Sequence, residues 1–144
     1  MTSNQASEMK EMLASWTEDP KGNKGSFLQL QQHVQEMADV KVSYVARPGI
    51  SYSLRVQHVN QNKRPVLAVI DIIDDDPSDR WLSACFYREM IRDTHGLGDE
   101  VPEGLHGEDA CCFDMYQWDD DLVEYIKVRL TEAWQAAGQE NEAA

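Results

Sequence analysis

The amino-acid sequence predicts an α+β fold: one two-layer domain in which a largely antiparallel sheet of about five strands carries the N- and C-terminal helices on one face. Three observations predict it. Apolar residues recur at helical spacing only near the two chain ends, around residues 9–37 and 119–137. Between those regions the apolar period drops to two, as in strands with one solvated face. The alternating segments follow one another through short turn-forming stretches, which favours antiparallel neighbours. At 144 residues, 42% hydrophobic and 27% charged, the chain has the size and composition of one self-supporting domain, residues 1–144.

Residues 1–6 read as a disordered polar tail, with Ser7 as the N-cap of a short helix through Met9, Met12, Leu13 and Trp16. Asp19-Pro20 ends that helix, and Lys21-Gly-Asn-Lys-Gly25 reads as a linker. Ser26 and Gln29 match a capping box for a second helix with the stripe Phe27, Leu30, Val34 and Met37. Strand alternation follows at Val40, Val42 and Tyr44. After the Pro48-Gly49 turn it resumes at Tyr52, Leu54, Val56 and His58. Asn60–Lys63 is the connection to Val66–Ile73, a run apolar on both faces and therefore placed centrally in the sheet. Trp81–Tyr87 reads as a strand, followed by one helical turn at Met90–Ile91. A long loop is expected from about 94 to 107, with Ala110–Tyr116 as the last strand. The closing helix has Asp119 as N-cap, Trp118 and Val123 as a staple, and the stripe Leu122, Ile126, Leu130, Ala133, Trp134 and Ala137. Gly138 ends it, and 139–144 read as a second disordered tail.

Charge is distributed unevenly. Residues 1–70 hold eight Lys/Arg and six Asp/Glu, a balance of +2, whereas residues 71–144 hold five and twenty, a balance of −15. Between Arg92 and Lys127 stand eleven acids and no Lys or Arg. Such a field repels nucleic-acid phosphates and anionic membrane surfaces and attracts basic partners or divalent cations. The longest aliphatic run, Val66–Ile70, is far short of the roughly 20 residues of a membrane helix. The cysteines, Cys85, Cys111 and Cys112, are odd in number and lack framework spacing, so they read as reduced thiols. Adjacent Cys111 and Cys112 would point to opposite faces of a strand. With no basic-then-apolar leader at Met1–Gln5, the expected location is cytoplasmic.

Three groups of residues carry candidate chemistry. Side chains on and beside the glycine-rich 94–107 loop (Asp99, Glu103, Glu108 and Asp109, with Asp93, His95, Glu100 and His106) form one group, whose carboxylates are hard-cation ligands by type, although the order of an EF-hand is missing. Asp71 and Asp114 each interrupt an apolar strand. Brought together on one sheet face, they could divide their pKa values between acid and base, or join the metal candidates. Lys21–Ser26 precedes a helix and could hold an anion, but it lacks the phosphate-loop order. No dinucleotide or histidine-ligand motif is present, so no cofactor is expected.

The order of Phe27–Val56, with Tyr44, the Arg47-Pro-Gly49 turn and Tyr52-Ser-Leu-Arg-Val56, together with Asp119–Ile126, resembles the small bacterial domains grouped as YdhG-like. The likeness covers about half the chain, in element order more than in residues. It implies a compact α+β fold and transfers no catalytic residue. The 94–107 loop and the Asp74–Asp76 run depart from it. The functional expectation is a non-enzymatic binding module whose acidic C-terminal half recognises a basic protein. The rival is a small enzyme or a ligand- or metal-binding protein with a carboxylate site near the 94–107 loop.

Overall fold

In the computed structural model, which describes residues 1–140, the alternating middle of the chain forms six strands rather than five. They are β1 (Val40–Arg47), β2 (Ser51–His58), β3 (Ala68–Ile73), β4 (Trp81–Tyr87), β5 (Asp99–Leu105) and β6 (Glu108–Met115). All pairings are antiparallel, and the sheet order is β1-β2-β3-β4-β6-β5. The doubly apolar β3 lies in the interior of the sheet, as expected.

The additional strand occupies most of the expected 94–107 loop. Its sequence, Asp-Glu-Val-Pro-Glu-Gly-Leu, has no apolar alternation because only Leu105 is buried. β5 is an edge strand, where Pro and charged side chains are tolerated and also deter pairing with another chain. Register slips between Val101 and Leu105, and Glu103 (φ 55°) and His106 (φ 50°) adopt left-handed backbone.

Register fixes which side chains share a face. Tyr44, Leu54, Ile70, Ala84 and Phe113 lie in one row across five strands, and Leu82, Phe86, Cys111 and Met115 share their side. Against this face pack α1 (Ser3–Ser15), α2 (Asn23–Gln35) and α3 (Asp120–Gly138). Phe27, Leu30 and Val34 of α2 and Ile126, Leu130, Ala133 and Ala137 of α3 are buried there. Each large apolar side chain so buried contributes about 1.5–3 kcal/mol relative to exposure.

The helix starts differ from expectation. α1 begins four residues before Ser7, because Thr2 and Gln5 form the capping box: the Gln5 N–H donates to Thr2 Oγ1 at 3.1 Å. α2 begins at Asn23, and Ser26 is buried in its first turn instead of capping it. Asn23 anchors this start, since its Nδ2 donates to the Arg80 carbonyl (2.9 Å) and the Tyr116 carbonyl (3.0 Å). The expected linker is thus a seat for Trp118, whose ring lies against Gly22 and Gly25. Its lysines are also engaged, Lys21 with Asp79 and Lys24 with the Trp16 carbonyl. α3 has the expected Asp119 cap, with Asp120 and Asp121 in the first turn.

Both expected tails are partly structured. Glu140 accepts the backbone N–H groups of Asn62, Lys63 and Arg64 and fastens the β2–β3 connection to the end of α3. Residues 141–144 of the expected tail lie outside the described residues. At the opposite end of β3, Asp74 and Arg80 form a buried ion pair at 2.7 Å, and Asp74 also accepts the Gly49 N–H at 2.9 Å. The Arg80 guanidinium lies between the rings of Trp16 and Tyr52, 5.7 and 5.6 Å from their centres.

Cysteine chemistry requires a correction. Cys85 and Cys112 are directly opposite one another on β4 and β6, 4.1 Å apart at Cα, and form a disulfide. Cys111 points to the helical face and is free and buried. Opposed cross-strand cysteines cannot be recognised until the β4–β6 register is known. The thiol argument for a reducing compartment therefore does not hold. Among the described residues no helix is long and apolar enough to cross a membrane.

Candidate functional site

The six carboxylates singled out in the sequence fall into two groups. Asp71, Asp99 and Asp114 lie on the sheet face opposite the helices. Ser53, Asp71, Ser83 and Asp114 form one transverse row across β2, β3, β4 and β6, and Asp99 stands opposite Cys112 at the adjacent edge. β4 separates Asp71 from Asp114, which puts them about 10 Å apart at two strand spacings. Ser53 donates to Asp71 through its hydroxyl. Burial pushes the Asp71 carboxyl up; the Ser53 hydrogen bond and the charges of Arg55 and Arg47 pull in the other direction without cancelling it.

Glu103, Glu108 and Asp109 lie at the β5–β6 hairpin. There Asp109 accepts the Glu103 N–H at 3.0 Å, and Glu108 pairs with Arg64 at 2.7 Å. Arg64 also binds Glu89 and stacks on the Tyr87 ring. Among the described residues no group of three or more His, Cys, Asp or Glu side chains is arranged to hold a metal ion. Of the hairpin carboxylates, Glu108 and Asp109 are thus held in structural contacts.

A different concavity lies on the acidic half, between α3 and the segment before β5. Asp93 builds its wall. It accepts the N–H groups of Leu97 and Gly98, both at 2.9 Å, and the hydroxyl of Tyr125 on α3. Burial would raise the Asp93 carboxyl, but Tyr125, these two amides and the nearby Arg129 outweigh it and hold the group below its ordinary value. Gly96 (φ 63°) lets the chain turn tightly back toward Asp93. Tyr125 is itself fixed, with Arg129 4.2 Å over its ring and Phe113 edge-on at 5.7 Å.

The resulting groove has a volume of about 500 Å³, and its floor is apolar: Leu97, Leu122, Tyr125 and Val128, with His95 beside them. Leu97 is 52% exposed and Val128 51%. Asp119, Asp121 and Glu124 form the rim. Asp119 is occupied as the helix cap, and Glu124 pairs with Lys127 at 3.0 Å. Asp121 makes no ion pair among the described residues.

Helical periodicity gives Asp119 and Asp121 to the cap and first turn of α3 and Leu122 to its core stripe, and by itself does not reveal the groove. A signal was present: Val128 is an apolar residue off the buried stripe of α3, and Leu97 is an apolar residue in a polar stretch. Comparison of the chain with protein-family models, with curated proteins and with solved structures gives no match in any of the three.

Proposed function

We propose that this protein is a binding module that captures a basic, amphipathic segment of a partner protein in the groove between α3 and residues 95–98. The carrying observation is the combination of an exposed apolar floor with a carboxylate rim. A segment that places one or two apolar side chains on Leu97 and Val128 would bring flanking Lys or Arg side chains against Asp121 and Glu124. Burial of the apolar contact supplies affinity, and charge supplies orientation and a fast encounter. The −15 balance of residues 71–144 extends the same preference beyond the groove.

Calorimetry with two synthetic amphipathic peptides of about 14 residues tests this reading, one built from Leu and Lys and the other from Leu and Glu. The Lys peptide is expected to bind, and to weaken at least tenfold on Val128→Asp or when salt is raised from about 50 to about 300 mM. Equal binding of the two peptides, or indifference to Val128→Asp, would refute it. Val128 is exposed, so the substitution leaves the core intact.

A further inference from the structure

The sheet face opposite the helices has no covering element among the described residues, and its charges are divided. Lys41 and Arg55 lie toward the β1–β2 edge, and Asp99 and Asp114 toward the β6–β5 edge. Between them runs a mostly apolar band: Val69, Ile73 and Trp81, the Cys85–Cys112 disulfide, and Tyr116, whose ring lies 4.7 Å from that of Trp81. The groove proposed above belongs to the other layer.

We infer that this face is the contact of a symmetric dimer, in which a second copy stacks on it about a twofold axis parallel to the strands. In the strand order β1-β2-β3-β4-β6-β5, that axis runs between β3 and β4. It places β1 over β5, β2 over β6 and β3 over β4 of the second copy. Arg55 then lies over Cys112 of the other copy, one residue pair along the strand from Asp114, and Lys41 lies one residue pair along from Asp99, within reach of long side chains and twice over by symmetry. Asp71 faces Ser83, a hydroxyl donor, with Asp71 of the second copy one strand spacing, about 4.8 Å, to the side. Trp81 faces Ile73. The alternative axis, across the strands, would set acid against acid and base against base, so charge selects the first arrangement.

The face is large enough. Six strands at about 4.8 Å spacing and about seven residues at about 3.3 Å give roughly 550 Å² in projection. Side-chain relief raises this toward the roughly 800 Å² per partner of a stable interface. Two stacked sheets in this arrangement form a sandwich with strands about 30° from alignment.

Sedimentation equilibrium of the full chain, from about 1 to about 100 µM at low salt, tests the inference. The expected species is a dimer that weakens at high salt. The double variants Lys41→Glu/Arg55→Glu and Asp99→Lys/Asp114→Lys should each be monomeric, since like charges then face one another across both rims. An equimolar mixture of the two should dimerise again, because every facing pair in the mixed dimer is opposite in sign. A wild-type monomer throughout the range would overturn the inference. So would variants that dimerise like wild type, or a mixture that stays monomeric while circular dichroism shows both variants folded.

Discussion

At the scale of the residue, two aspartates, Asp71 within β3 and Asp74 just past its end, have opposite effects on stability. Burial would raise Asp74, but the Gly49 amide and Arg80 outweigh it, and the carboxyl titrates below its ordinary value. A depressed value in the folded state means stability that is present above the unfolded carboxylate pKa and is lost as pH falls through the folded one. Asp71 is raised, chiefly by burial, so its ionised form is penalised by folding at neutral pH and the penalty fades as pH falls. Arg80→Ala should therefore cost about 3–5 kcal/mol at neutral pH by leaving Asp74 buried and unpaired, and should cost less in acid, where Asp74 is protonated. Asp71→Asn should raise the melting temperature at pH 7, with the gain shrinking toward about pH 4. Urea unfolding of each variant across pH checks both signs. Asp71 stood out in the sequence because it breaks an apolar strand. The role of Asp74 did not, because its partner Arg80 lies across a turn and its value depends on burial.

At the scale of the element, periodicity located every helix and the central strand, and it failed where an element has no buried face. β5 read as a loop because an edge strand solvated on nearly all sides carries no alternation. The start of α2 reads as a linker for a related reason: its glycines serve a tertiary contact with Trp118, far away in sequence. Gly25 gives a test in which the sign decides. Helix propensity alone predicts that Gly25→Ala stabilises α2 by up to about 1 kcal/mol. A Cβ there would overlap the Trp118 ring, so Gly25→Ala should instead destabilise the fold by about 1–3 kcal/mol. In a Trp118→Ala background the same substitution should become stabilising. Thermal unfolding of the two single variants and the double variant measures the reversal.

At the scale of the whole molecule, the sequence showed the charge division but not its arrangement, which depends on how the strands are ordered. The acidic half forms both the rim of the α3 groove and one edge of the uncovered sheet face, whereas the metal cluster that its carboxylates suggested is absent among the described residues. The disulfide ties together the two strands, β4 and β6, that carry the middle of that face, closing a loop between residues 27 apart in sequence. Restricting the unfolded chain in this way contributes about 3.5 kcal/mol on the chain-entropy account, so reduction should lower the denaturation midpoint by a corresponding amount without changing the far-ultraviolet spectrum of the native state. The central claim is that the groove on α3 takes a basic amphipathic segment. The most direct measurement is a nitrogen-15 chemical-shift titration of the whole chain with the Leu/Lys peptide. The account predicts saturable shifts concentrated at residues 95–98 and 121–128. Shifts confined to the uncovered sheet face, or an unchanged spectrum at excess peptide, would contradict it.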